Sequence, residues 1–220
     1  MSGLIITTEP TQEPVTLQEV KEYLRVEDNT DERNLRPLIE TARRFAEEHM
    51  SRTLMSTTYT QYLDSVDELE DPLWEGVRTG PYLNFYKNYI QLAKAPVISV
   101  AHVKTYDDSD NATTMSSSKY YVDNAGEPAR LVLRTGETWP SALRVANAIE
   151  IQFSAGYSSA YSIPEPIRMG ILQHIAFLYE QRGDNLEYQS ANQFPLMIKS
   201  LYAPYVIHKG LGSSTLMALG

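Results

Sequence analysis

The chain has 220 residues, of which 42% are hydrophobic and 21% charged, and its 28 acidic and 19 basic side chains leave a formal net charge of −9. This fits an ordinary soluble globular protein and argues against a reader of DNA or RNA, which needs a concentrated positive face. The lack of any cysteine excludes disulfides, a cysteine nucleophile and thiolate metal sites, and fits a reducing compartment.

The opening MSGLIITTEP has neither the basic region nor the long apolar core of a secretory signal. The first predicted element is VTLQEVKEYLRV. Thr16 stands three residues before Glu19, the capping-box spacing, and Leu17, Val20 and Leu24 share one face of a short helix. After the turn EDNTDE, a second helix is predicted from Asp31 to Ser51, its stripe running through Leu35, Leu38, Ile39, Ala42, Phe45, Ala46 and Met50. Pro37 inside it removes one hydrogen bond and predicts a bend or a late start.

TLMSTTYTQYLDSV then changes the period from 3.6 to 2 and predicts a strand. Residues 68–94 read as a long loop with turn signals at Asp71-Pro72 and Gly80-Pro81, ending in a strand near Tyr89 to Leu92. From Ala95 the chain is β: PVISVAHVKTYD, a polar loop, SKYYVD, a turn, ARLVLR and AIEIQFSAG. In the last of these Ile149, Ile151 and Phe153 face one way and Glu150 and Gln152 the other, which predicts a sheet with one buried and one wet or contacted face. PEPIRMGILQHIAFLYEQRG returns to helix, with Gly170 kept for close approach by a neighbouring helix, and a last helix is predicted over Leu196 to Tyr202. No apolar run is long enough to cross a bilayer.

Candidate chemistry is sparse. Gly156 precedes a helix, but no Gly-Lys-Ser/Thr follows it, so the segment is not a phosphate loop. The histidines at 49, 102, 174 and 208 make no metal-ligand spacing; His174 reads as a satisfied helical histidine and His102 as solvent-facing. Asp64, Asp67, Glu68, Glu70 and Asp71 beside Trp74 read as solvated loop charge rather than a glycosidase pair. Asp107, Asp108, Asp110 and Asn111 lack the glycine and terminal glutamate of a calcium loop and read as a hairpin turn. Ser154 does not sit in GxSxG. Fifteen tyrosines suit surfaces that are wet in one state and covered in another. The expectation is a non-enzyme with no cofactor and no metal.

The collinear set EPVTLQEVKEYLRV, LRPLIETARRFAEEHMSRTL, KAPVISVAHVKTYD, YYVDNAGEPARLVLR, AIEIQFSAGY, IPEPIRMGILQHIAFLYEQR and LYAPY resembles the head–tail connector family of tailed bacteriophages, also found in prophages and gene transfer agents. It covers residues 13–205. Each piece is a structural signal, and the order carries the resemblance. Two departures stand out: residues 71–92 are longer than the family's usual connection, and Ser158 follows Ala155-Gly156-Tyr157 where the family commonly has glycine.

The resemblance implies an α+β fold, a small helical bundle with an antiparallel β portion inserted between its N-terminal and C-terminal helix pairs. The expected division is a connector domain over 1–205, with helices in 16–51, the β insertion in 53–157 and helices in 166–203, followed by a C-terminal arm over 206–220. The implied function is a virion structural adaptor at the head–tail interface, assembled in the host cytoplasm. It would form a ring, commonly of twelve copies, under the portal, and DNA would pass through it without tight or sequence-specific binding. Its partners would be the portal and a stopper or tail-completion protein, with no membrane. The alternatives are a stopper, a tail terminator or an unrelated soluble enzyme. Tyr205, Ile207, Leu211, Leu216, Met217 and Leu219 are the expected partner-binding residues.

Overall fold

The computed structural model describes residues 3–27, 31–64, 89–180 and 195–207. Most of the long loop expected over 68–94, the end of the third helix at Arg182 and the tail beyond Ile207 lie outside these residues. The fold is α+β, with four α-helices and eight antiparallel-paired strands among the described residues. The chain divides into two compact units, a helical one of Pro10–Ser56 and Gly156–Ile207 and a β unit whose described part lies within Met1–Glu9 and Thr57–Ala155.

In the helical unit, α1 (Leu17–Leu24) starts at the capping box: Glu19 N–H donates to Thr16 Oγ1 at 3.2 Å, and Thr16 N–H donates to Glu19 Oε2 at 2.7 Å. α2 (Glu32–Met50) starts at once rather than late, because Leu35 N–H already bonds Asp31 O at 3.0 Å and Pro37 falls just beyond this first turn. α3 (Glu165–Glu180) and α4 (Leu196–Tyr202) complete the unit. Their apolar stripes meet in one core around Val20, Leu35, Met50, Ile171, Ile175 and Tyr202. At Gly170 α3 lies close against α4: a Cβ there would lie 2.5 Å from Cε1 of Tyr202. The expectation of a close neighbour at this glycine is met, and the neighbour is α4.

His174 sits in this core, 5% exposed, with its ring edge-on to Phe45 at 4.9 Å. Burial pushes its pKa down from 6.5 to about 4. The folded helix therefore refuses a proton that the unfolded chain accepts, so stability is complete above pH 6.5 and falls as the pH drops from there toward 4. On the order of 3 kcal/mol is lost across that window. Urea titrations at stepped pH are expected to show this slope, and His174→Leu is expected to flatten it.

The β unit is two sheets. The larger, in the order β1-β2-β8-β4-β5, comprises β1 (Gly3–Thr8), β2 (Thr57–Leu63), β8 (Ile149–Ala155), β4 (Val97–Tyr106) and β5 (Ala112–Thr114). The smaller, in the order β3-β7-β6, comprises β3 (Tyr89–Gln91), β7 (Arg130–Leu133) and β6 (Tyr120–Asp123). Side chains from both sheets form one core: Tyr59, Ile149, Ile151 and Phe153 from the larger, Ile90 and Leu131 from the smaller. β1 is an addition that the sequence reading did not contain. Its register on β2 runs from Gly3 opposite Tyr62 to Thr8 opposite Thr58, so the larger sheet draws an edge strand from before the first helix.

Candidate interface surfaces

The face of the larger sheet turned away from the core is polar. Tyr62, Glu150 and Lys104 lie side by side across β2, β8 and β4, and Thr60, Gln152 and His102 form the next row. Glu150 is the hub. Tyr106 Oη donates to its Oε2 at 2.7 Å, His102 Nε2 lies 2.8 Å from its Oε1, and Lys104 Nζ stands 3.4 Å from the same oxygen. Burial works against the charged carboxylate, but the hydrogen bonds from Tyr106 and His102 and the Lys104 charge outweigh it and hold its pKa below the usual range. In return, the Tyr106 phenol is pushed up, first by its hydrogen bond to Glu150.

His102 is thus on the outer face as expected, but engaged and half-buried rather than free. The Arg144 guanidinium lies 4.0 Å above the Tyr106 ring and also meets Asp110 Oδ1 at 3.2 Å. A carboxylate so engaged by donors cannot serve as a base or ligate a metal without giving up those bonds. The arrangement ties β8 to β4. Among the described residues no group of three or more His, Asp or Glu is placed to hold a metal ion.

The outer face of the smaller sheet carries aromatic rings and arginines, Arg130 being paired with Asp123. Tyr89, Val132 and Tyr121 form one row, with the guanidinium of Arg130 5.5 Å from the Tyr89 ring and that of Arg134 5.8 Å from the Tyr121 ring. The turn that carries Asp107 closes on itself: Asp107 Oδ1 accepts from Asn111 N–H at 2.8 Å and Ser109 N–H at 2.9 Å. These bonds, that from Asn111 first, lower the Asp107 pKa, and the segment is the expected hairpin turn. Asp64 accepts from Asn147 N–H at 2.8 Å, while Asp67, Glu68, Glu70, Asp71 and Trp74 lie outside the described residues.

The helical unit carries a groove of about 680 Å³, floored by Val15 and Ile39 and rimmed by Glu13, Arg36, Tyr161 and Arg168. Arg168 spans it, paired with both Glu19 and Glu165, and lies 5.7 Å from the ring of the exposed Tyr161.

Of the expected partner-binding residues, Tyr205 and Ile207 pack on the helical unit itself. Tyr205 O accepts from Arg52 Nε, and the buried Ile207 donates its N–H to Met50 O at 2.9 Å. Leu211, Leu216, Met217 and Leu219 lie outside the described residues. Two features escaped the sequence reading. Glu150 showed only as the polar half of an alternation. The local signal for β1 is its β-branched run, IITT.

No protein-family model matches the chain, and no curated protein does. Solved structures do share the fold. A chain in "Neck of empty GTA particle computed with C6 symmetry" superposes with a TM-score of 0.70 at 19% identity, covering 96% of this chain and 98% of that one. A chain in "Virion of native gene transfer agent (GTA) particle" gives a TM-score of 0.70 at 18% identity with the same coverage. One in "Neck of native GTA particle computed with C12 symmetry" gives a TM-score of 0.62 at 21% identity, again covering 96% and 98%. At such identities the likeness establishes the fold: this chain has, over nearly its whole length, the fold of chains found in gene transfer agent particles.

Proposed function

We propose that the protein is a structural head–tail connector of a tailed phage or phage-like particle, an adaptor ring under the portal that joins the DNA-filled head to the tail. The observation that carries this reading is the near-complete fold likeness to chains of particle and neck structures, two of which were computed with cyclic symmetry. The four helices favour the adaptor over a stopper or terminator, which resemble mostly β proteins. The protein is then a component of the virion, assembled in the host cytoplasm, and its partners are its own copies, the portal and a tail-completion protein. Added to tail-less, DNA-filled heads that carry the portal, the purified protein is expected to form ring density below the portal. Class averages without such density overturn the reading.

The lumen of the ring is neutral to acidic and lets the genome pass. A net charge of −9 per subunit repels the duplex, whereas a lysine-lined passage would hold it by counterion release. Band-shift titration at low salt is expected to show no sub-micromolar binding of duplex DNA; tight binding would refute the claim.

The anchor to a partner is the arm, which begins after Ile207 because Ile207 is committed to the helical core. Leu211, Leu216, Met217 and Leu219 are apolar residues among glycines and serines, a composition suited to ordering on a partner. Deleting residues 208–220 is expected to leave the thermal midpoint nearly unchanged and to abolish attachment to heads. A truncated chain that still completes infectious particles shows that the arm is not the anchor.

A further inference from the structure

β1 is an edge strand of an unusual kind. Its six residues, Gly3–Thr8, contain no lysine, arginine or proline, and Leu4, Ile5 and Ile6 are 37%, 57% and 45% exposed. An apolar, uncharged edge is a template for another strand, and proteins that work alone blunt such edges. Among the described residues no strand pairs with the outer side of β1.

Among the described residues, the opposite edge of the same sheet is also partly open. β5 covers β4 only at Lys104–Tyr106, and Met115 N–H takes the carbonyl of Val103. Residues 97–102 of β4 are left, a stretch as long as β1, with Ile98 46% exposed. Two bulges fall in this stretch, between Val97 and Ser99 and between Val100 and His102. Bulges bend and twist an edge and so limit indiscriminate pairing along it.

Strand direction says which strand that is. β1, β2, β8 and β4 are antiparallel at each of their contacts, so β1 and β4 run in opposite directions. When copies stand side by side around a rotation axis, β1 of one copy therefore meets β4 of the next antiparallel, and the alternation continues unbroken across the joint. An odd number of such strands would have forced a parallel joint, which is slightly less stable per residue. The contact is also head-to-tail, two different edges meeting, and a closed ring requires contacts of that type.

We propose that β1 of each copy adds to residues 97–102 of β4 in the next copy, so that the ring closes through one antiparallel sheet running from subunit to subunit. The proposal rests on the ring reading above. A joint of one six-residue strand is weak alone and gains from multiple engagement around a template.

The absence of cysteine gives a clean test, because every covalent band must come from introduced thiols. Ile5 shares the outer face with Thr60, and Ser99 shares it with Ser154, whereas Ile6 and Val100 stand opposite Tyr59 and Phe153 on the core face. The double variants Ile5→Cys with Ser99→Cys and Ile6→Cys with Val100→Cys, assembled on portal-bearing heads and oxidised, are expected to give a ladder of covalent oligomers. Each single variant is expected to stay monomeric on the gel. Ile5→Lys is expected to cut ring occupancy about ten-fold with an unchanged thermal midpoint, since the residue is exposed.

Rings without a ladder in either double variant overturn the proposal and leave the connector reading standing, as do rings of Ile5→Lys at full occupancy. Dimers from Ile5→Cys alone overturn it in favour of β1 pairing with β1. A link within one chain between cysteines at Ile5 and Leu216 overturns it in favour of the chain's own end. If the unmodified protein forms no ring on heads, the connector reading fails and takes the proposal with it.

Discussion

Ile171→Asp is expected to leave no folded helical unit. Ile171 is wholly buried in the middle of α3, in the core that α1, α2 and α4 share. A carboxylate there sits among apolar side chains, and burying an unpaired charge costs several kcal/mol even after the group shifts its pKa to become neutral. The whole stability of a domain is only about 5–15 kcal/mol, so one such cost consumes most of it. Ile171→Val, which removes one methylene, is expected to cost about 1 kcal/mol and so to separate loss of volume from gain of charge. Circular dichroism and thermal unfolding provide the check. A soluble Ile171→Asp protein with the melting behaviour of the parent would show that α3 does not sit in the core.

What could be read in the sequence was what local chemistry determines. The capping box at Thr16 and Glu19 and the stripe of α2 are patterns within a turn or two of helix, and each forms where the spacing put it. β8 is similar, since Ile149, Ile151 and Phe153 do face the core. On the other side of the same strand the alternation put Glu150 on the outer face but did not show how buried it is. Glu150 is nearly as buried as its neighbours because His102, Lys104 and Tyr106 fold over it from β4, residues 44 to 48 positions away in the chain. Nothing in the sequence around Glu150 announces partners at that distance.

Long-range pairing also explains the other gaps. β1 is a strand because β2, more than 50 residues later, offers it an edge. Its exposed aliphatic residues have no alternation of their own to betray it. The split into two sheets is likewise invisible locally, since β6 and β7 read no differently from β4, yet β7 pairs with β3 and β6 instead. For the candidate interfaces the same division holds. Tyr205 and Ile207 could be picked out as apolar residues near a domain end, but only the packing shows that both also contact the helical unit.

Gly156→Ala is expected to cost more than the usual penalty for a left-handed residue, roughly 3 kcal/mol or more. Gly156 follows β8 directly and has φ of +116°, a conformation that side chains rarely adopt. A Cβ there would also meet main-chain atoms, Met55 O at 2.4 Å and Met55 C at 2.5 Å. Backbone cannot step aside as a flexible side chain does, and this backbone is fixed: Tyr157 N–H bonds Leu54 O at 3.2 Å, and Met55 bridges Tyr157 in parallel. Gly136 supplies the comparison, with φ of +88° and nothing within 4 Å of an added Cβ. Gly136→Ala is expected to cost only the conformational part, about 1–2 kcal/mol. The difference between the two variants in urea unfolding therefore measures the close approach of the two chain segments at the strand's exit. If Gly156→Ala is no worse than Gly136→Ala, that approach is not tight, and the glycine of the Ala155-Gly156-Tyr157 turn is there for its backbone angle alone.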